Sequence, residues 1–209
     1  MLKTFTYATM GAGKTTELIK TYDQLKRRGD NVIIAKPIID TREGDYHGWG
    51  LTGSRITKEQ KSAFYFDNIQ EVFDKVTFSI LLLDEVQFMN PKDVDKLVRI
   101  EQEVHAYGLK TDVNAKLFPA VSEFLAKAET IKEIPMLCEN KGCLNRAVAH
   151  SRYINGKLDN SGLTQVVESG NVTYKSLCMA CWNKEREKCI IFLPSIQNLW
   201  LLVGGRGRG

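Results

Sequence analysis

The glycine-rich segment at residues 10–15, which reads Met-Gly-Ala-Gly-Lys-Thr, constrains this sequence more than any other feature. It follows a run with strand character at residues 3–7 and opens a run with helical periodicity. A loop in that context can hold phosphate oxygens on backbone amides, while its lysine reaches the outer phosphates and its threonine binds Mg²⁺. The alternative is a helix start with a solvated lysine, and Ala8 stands where the usual pattern begins with glycine. The predicted phosphate-binding residues are Met10, Gly11, Ala12, Gly13, Lys14, Thr15 and Thr16.

Short β-rich runs alternate with helical patterns as far as residue 137. The first helix carries Leu18 and Ile19 on its apolar face and ends near Gly29. Asn90 and Pro91 form a typical cap and first turn of a later helix. This alternation predicts an α/β fold with a mostly parallel sheet covered by helices. The other predicted elements are strands at residues 31–35, 78–83 and 131–137 and a helix at residues 118–127.

The pattern changes after residue 137 to short, turn-rich segments, which indicates a separate small lobe. We therefore predict a P-loop domain at residues 1–137, a lobe at residues 138–188 and an apolar tail at residues 189–209. The tail is interrupted by polar residues and Pro194, and it falls short of the ~20 apolar residues that a membrane span needs. The sequence assigns no function to this tail.

Two carboxylates, Asp84 and Glu85, follow the apolar run at residues 79–83. Open parallel sheets bind ligands beyond the carboxyl ends of their strands, so this pair is expected near the phosphate loop. Consecutive strand residues point to opposite sides, which predicts different tasks for the two groups. Asp84 would support Mg²⁺ and Glu85 would accept a proton from an attacking hydroxyl. A solvated acidic turn is the alternative.

The cysteines occur as two pairs, Cys138 with Cys143 and Cys178 with Cys181. Two such turns, one carrying a short two-residue spacing, are typical of a four-thiolate zinc ribbon. We predict a structural Zn²⁺ that stabilises the lobe and takes no part in chemistry. Four unrelated reduced thiols are the alternative, and Cys189 is left over as a free thiol.

The composition narrows the classes of partner. The net charge is +4, and the lysines and arginines are scattered rather than clustered, which argues against a nucleic-acid ligand. The first residues lack the pattern of a secretory signal, so we expect a cytoplasmic protein without a membrane partner.

The order and spacing of these motifs resemble the thymidine kinase family of many bacteria and some phages. The resemblance runs from about Phe5 to Trp182 and implies a RecA-like P-loop core with a zinc-containing lobe whose loop closes over a nucleoside. It also implies ATP-dependent phosphorylation of the 5′-hydroxyl of thymidine, and a homotetramer. The segments that carry it are residues 10–15, 36–42, 84–88 and 106–112 and the two cysteine pairs.

The resemblance also implies roles for individual residues. Glu85 would be the catalytic base, and Arg42 would lie near the reacting phosphate and hydroxyl. Asp84 would support Mg²⁺, and Gln87 joins the predicted cofactor-binding residues. The residues implied to contact the nucleoside are Met10, Phe88, Leu109, Phe118 and, from the covering loop, Val167 and Tyr174.

Three positions depart from the family pattern. Val113 replaces an aromatic residue, His150 replaces a threonine that contacts the base in the animal enzymes, and residues 101–105 are more polar than the strand expected there. Two other functions stay open on the sequence. One is a P-loop ATPase whose zinc ribbon binds nucleic acid, although the chain lacks a basic, aromatic-studded strip. The other is an inactive relative that only binds.

Overall fold

A seven-stranded sheet forms the centre of the computed structural model, which describes residues 1–38, 48–159, 161 and 171–190, with side chains as far as residue 187. Its strands are β1 (Leu2–Ala8), β2 (Val32–Pro37), β3 (Gly48–Gly53), β4 (Gln60–Phe66), β5 (Ile80–Leu83), β6 (Glu103–Leu109) and β7 (Thr130–Glu133). They lie in the order β3-β4-β2-β5-β6-β1-β7, and all but the edge strand β3 run parallel. The predicted α/β fold with a mostly parallel sheet is confirmed.

Within the described residues, five α-helices accompany the strands: α1 (Lys14–Arg28), α2 (Gln70–Lys75), α3 (Pro91–Arg99), α4 (Pro119–Lys127) and α5 (Met179–Ile190). The predicted helix ends are confirmed at two places. Gly29 closes α1 with a left-handed φ of 91°, which glycine adopts without steric cost. The Asn90 side chain accepts a hydrogen bond from the Lys92 amide, and Pro91 begins α3.

The central strands of the sheet are buried on both faces, as in a parallel sheet covered by helices. On one face, Leu18 and Ile19 of α1 pack with Ile34 and Leu82. On the other face, Phe124 of α4 joins a larger apolar cluster and stacks on Phe5 at 5.4 Å between ring centroids. The central strand β5 is fully buried because both layers cover it.

Two strands differ from the sequence prediction. Residues 103–105 do form the start of strand β6, which pairs with β5 and β1. The polar side chains of Glu103 and His105 bond to each other at 2.8 Å. The last core strand, predicted over residues 131–137, is the shorter β7. It ends where Pro135 follows Ile134, because proline has no amide hydrogen for a sheet ladder.

The lobe contains a second sheet of three antiparallel strands in the order β10-β8-β9, formed by β8 (Ala149–Ile154), β9 (Lys157–Leu158) and β10 (Val172–Leu177). Inside the lobe, the buried Arg152 forms an ion pair with Asp159. Helix α5 follows β10 directly and carries Cys181. The predicted limits of the lobe and tail stay predictions. None of the helices in the described ranges is long and apolar enough to cross a membrane.

Candidate active site

The phosphate loop joins the carboxyl end of β1 to the first residue of α1. Gly11 and Gly13 have left-handed φ angles of 77° and 90°, so both turns of the loop need glycine. Lys14 is 6% exposed and its Nζ donates to the Thr9 carbonyl at 3.4 Å. Burial lowers the pKa of Lys14, while the nearby Glu85 and Asp84 carboxylates act in the opposite direction. The loop is therefore folded around a buried lysine side chain.

Asp84 lies beside this loop, directly after β5, and is 1% exposed. Its Oδ2 accepts hydrogen bonds from the hydroxyls of Thr15 at 3.3 Å and Thr52 at 3.1 Å. Its Oδ1 accepts from the Glu85 amide at 3.0 Å. Burial, followed by the Glu85 charge, raises the pKa of Asp84 to about 6. A divalent cation would stabilise the ionised form, and oxygen ligands of this kind suit Mg²⁺.

Glu85 lies in a turn after β5, so strand alternation does not determine the direction of its side chain. Strand β5 ends at Leu83, and Glu85 has φ 54° and ψ 38°, a left-handed conformation that is uncommon outside glycine. The prediction that strand alternation directs Asp84 and Glu85 to opposite sides is therefore wrong, because both residues follow the end of the strand. A 3₁₀ turn, Val86–Phe88, follows Glu85 directly.

Gln87 fixes the Glu85 carboxylate. The Gln87 side chain is buried; its Oε1 accepts from the Leu109 amide at 3.0 Å, and its Nε2 donates to Glu85 Oε2. Because Oε1 faces an amide donor, the NH₂ end must point to Glu85. A Cβ at Gly108 would lie 2.9 Å from Gln87 Oε1 and 2.8 Å from Val86 Cγ2, so the strand passes this close only as glycine.

Four of the predicted nucleoside contacts come together in one apolar cluster. Leu109 and Phe118 are buried members, and Met10 and Phe88 pack against them half-buried. The rings of Phe88 and Phe118 meet edge to face, with centroids 6.0 Å apart at 71°. An aromatic face beside apolar walls suits a flat base.

The remaining predicted contacts belong to the lobe or lie outside the described residues. Tyr174 is half-buried on β10, 6.1 Å between ring centroids from His150. Burial, followed by the Lys14 charge, lowers the pKa of His150 to about 4, so this imidazole is neutral at physiological pH. Arg42 and Val167 lie outside the described residues.

The four cysteines predicted to bind metal lie together. Their Sγ atoms are all within 4.8 Å of one another, and Cys143 and Cys178 are 3.8 Å apart. A tetrahedral zinc site with Zn–S bonds of about 2.3 Å separates its sulfurs by about 3.8 Å, so this cluster could bind zinc. Asn140 donates to Cys181 Sγ at 3.2 Å. Such a donor orients a thiolate from outside the ligand shell.

Sequence reasoning missed three contacts around this site. Thr52 reaches Asp84, and Ser54 Oγ lies 2.7 Å from Thr16 Oγ1. Ser176 of the lobe donates to the Met10 carbonyl at 2.7 Å, which ties β10 to the phosphate loop. The glycine-rich run at residues 48–53 carries no periodic pattern that could have indicated the first two contacts.

Comparison with known proteins agrees with this architecture. The family model described as thymidine kinase matches residues 2–182. A thymidine kinase of Rhizobium etli is 34% identical over 203 residues, covering 91% of this chain and 97% of the relative. The thymidine kinase of Enterobacteria phage T4 is 31% identical over 195 residues, covering 88% and 96%. One from Streptococcus pyogenes is 31% identical over 183 residues, covering 83% and 93%.

Proposed function

The chain belongs to the thymidine kinase family, and we propose that it transfers the γ-phosphoryl group of ATP to the 5′-hydroxyl of thymidine, giving dTMP and ADP. The observation that carries this proposal is the buried Asp84, bonded to Thr15 of the phosphate loop and followed directly by Glu85. This arrangement brings a phosphate cradle, a metal-supporting carboxylate and a second carboxylate to one edge of the sheet.

The phosphate loop would bind the donor. Backbone amides from Met10 to Thr16 would cradle the phosphates, and Lys14 would leave the Thr9 carbonyl to reach the β- and γ-phosphates. Thr15 and Asp84 would hold Mg²⁺, which when bound neutralises charge on the phosphate oxygens. Lys14 is already buried, so little solvent would have to be removed from it when ATP binds.

Glu85 would accept the proton of the attacking 5′-hydroxyl. Gln87, which the sequence suggested as a nucleotide contact, has both ends of its amide engaged and would position Glu85. Arg42 would act near the reacting phosphate, as the family resemblance implies. The division of labour is therefore a metal-supporting Asp84 and a proton-accepting Glu85, which itself has the left-handed backbone conformation.

The apolar cluster of Met10, Phe88, Leu109 and Phe118 would hold the thymine base. Val167 and Tyr174 would belong to the loop of the lobe that covers the nucleoside. The four cysteines would hold a structural Zn²⁺, which supplies rigidity to the lobe and no chemistry. We also propose that the protein is a homotetramer, as the family resemblance implies, and that it is cytoplasmic.

The test is ADP release with ATP, Mg²⁺ and a panel of deoxynucleosides. We expect thymidine to drive turnover, with product identified as dTMP. ADP release that needs no nucleoside and rises with added nucleic acid would instead support an ATPase.

Replacing Glu85 with glutamine keeps the side-chain shape and removes the base. We expect kcat to fall by about 10²–10⁴-fold with little change in ATP affinity. Glu101→Gln, at an exposed glutamate, is the matched control and should retain parent activity. Parent-like turnover of Glu85→Gln would refute the role of Glu85 as the base. It would not contradict the proposal that thymidine is the substrate.

A further inference from the structure

The β3–β4 hairpin contains none of the active-site motifs, yet its Thr52 donates a hydrogen bond to Asp84. We propose that Thr52 is a positioning residue whose hydroxyl holds the Asp84 carboxylate in place for the metal of Mg²⁺·ATP. This inference rests on the proposed function, because it assumes that Asp84 supports the metal. Thr52 would touch neither nucleotide nor nucleoside and would act through Asp84 alone.

The burial of β3 singles out Thr52. Trp49 and Leu51 are 58% and 61% exposed, whereas Thr52 is 4% exposed. A strand on a water-facing edge normally turns its apolar side chains inward. Here the one buried side chain of β3 is a hydroxyl, and it donates to a buried carboxylate at 3.1 Å. Hydrophobic packing does not explain this orientation, but the partner at Asp84 does.

The rest of the hairpin is attached to the phosphate loop. Ser54 Oγ lies 2.7 Å from Thr16 Oγ1 and accepts the amides of Ile56 at 3.2 Å and Thr57 at 3.1 Å. The Ile56 side chain approaches within 3.4 Å of the point where a Cβ at Gly13 would lie. These contacts fix the strand end that carries Thr52 relative to the loop.

Asp84 has three hydrogen-bond donors, and two of them share one oxygen. Thr15 and Thr52 both donate to Oδ2, and the Glu85 amide donates to Oδ1. If Thr15 of α1 binds the metal through its hydroxyl oxygen, Thr52 of β3 still donates to Asp84 Oδ2 and keeps it aligned. Loss of the Thr52 hydroxyl would leave a buried carboxylate with one fewer donor and free it to rotate.

The test compares Thr52→Val, which keeps the branched shape, with Thr52→Ser, which keeps the hydroxyl. Calorimetric titration measures ATP binding at a series of Mg²⁺ concentrations without nucleoside, so the result does not depend on which acceptor the enzyme uses. We expect the Mg²⁺ concentration for half-maximal binding to rise about tenfold in Thr52→Val and to return close to the parent value in Thr52→Ser. Metal-free ATP binding should not change.

Thr57→Val is the matched control, because Thr57 lies in the same hairpin with an exposed side chain that bonds to Glu59. If Thr52→Val fails to fold, Thr52→Ala supplies the same comparison. The proposal is overturned if Thr52→Val keeps the parent Mg²⁺ dependence, or if Thr57→Val shifts it equally. A failure of thymidine phosphorylation with an intact Mg²⁺ effect would instead count against the proposed acceptor.

Discussion

Replacing Asp84 with asparagine should make the metal-free protein more stable at neutral pH while impairing phosphoryl transfer. Burial, followed by the Glu85 charge, raises the pKa of Asp84 from 3.8 to about 6. Each pKa unit by which the folded state differs from the unfolded state changes the free energy of unfolding by about 1.4 kcal/mol. The ionised carboxylate therefore lowers the free energy of unfolding by about 3 kcal/mol at pH 7.5.

The sign of this effect depends on pH. Below about pH 4 Asp84 is protonated in both the folded and the unfolded state, so its burial does not lower the free energy of unfolding in this way. Between about pH 4 and 6 the unfolded chain releases the proton first, so stability falls as the pH rises. Above about pH 6 the buried, ionised carboxylate lowers the free energy of unfolding by the full amount. Asparagine removes this cost and can still accept the Glu85 amide with its one oxygen, but its NH₂ group replaces the Oδ2 that accepts from Thr15 and Thr52, which costs about 1 kcal/mol.

The net expectation for Asp84→Asn is a gain of about 2 kcal/mol at pH 7.5, or about 4–8 °C in Tm. At pH 4 the variant should be slightly less stable than the parent. Denaturant unfolding in Mg²⁺-free buffer, without chelators that would disturb the cysteine cluster, measures both values. Asp67→Asn, at an exposed carboxyl, is the control and should show no such gain. A stability difference for Asp84→Asn that is independent of pH would refute the reasoning.

Three further changes test other parts of the site. Lys14→Ala should abolish phosphoryl transfer and weaken ATP binding, because Lys14 is the buried lysine of the phosphate loop; near-parent turnover would exclude the loop as the nucleotide site. Gly108→Ala should lower the unfolding free energy by about 1–3 kcal/mol and reduce kcat, because its Cβ would displace Gln87 and thereby Glu85; an unchanged denaturation midpoint would contradict this packing. Metal analysis should find about one Zn²⁺ per chain, and Cys178→Ser should lose it and loosen the lobe; a folded, active preparation without zinc would contradict the structural role.

The sequence by itself was sufficient for features that depend on local pattern. A glycine-rich loop between a strand and a helix, an apolar run ending in acids, and paired cysteines each require particular residues at neighbouring positions. The α/β fold, the family and the helix ends at Gly29 and Asn90 were predicted in this way and confirmed. The cysteine pairs do form one cluster.

The tertiary structure decided what depends on contacts between distant segments. Thr52 is 32 residues from Asp84 in the chain, and their hydrogen bond exists because β4 pairs with β2 and carries β3 alongside it. Gln87 reaches Glu85 because β6 supplies the Leu109 amide and leaves space at Gly108. Periodicity reports which face of one element is apolar, but it contains no information on which strand lies beside which. The carboxylates Asp84 and Glu85 could therefore be identified from the sequence pattern. The residues that orient them could be identified only once the strand order was known.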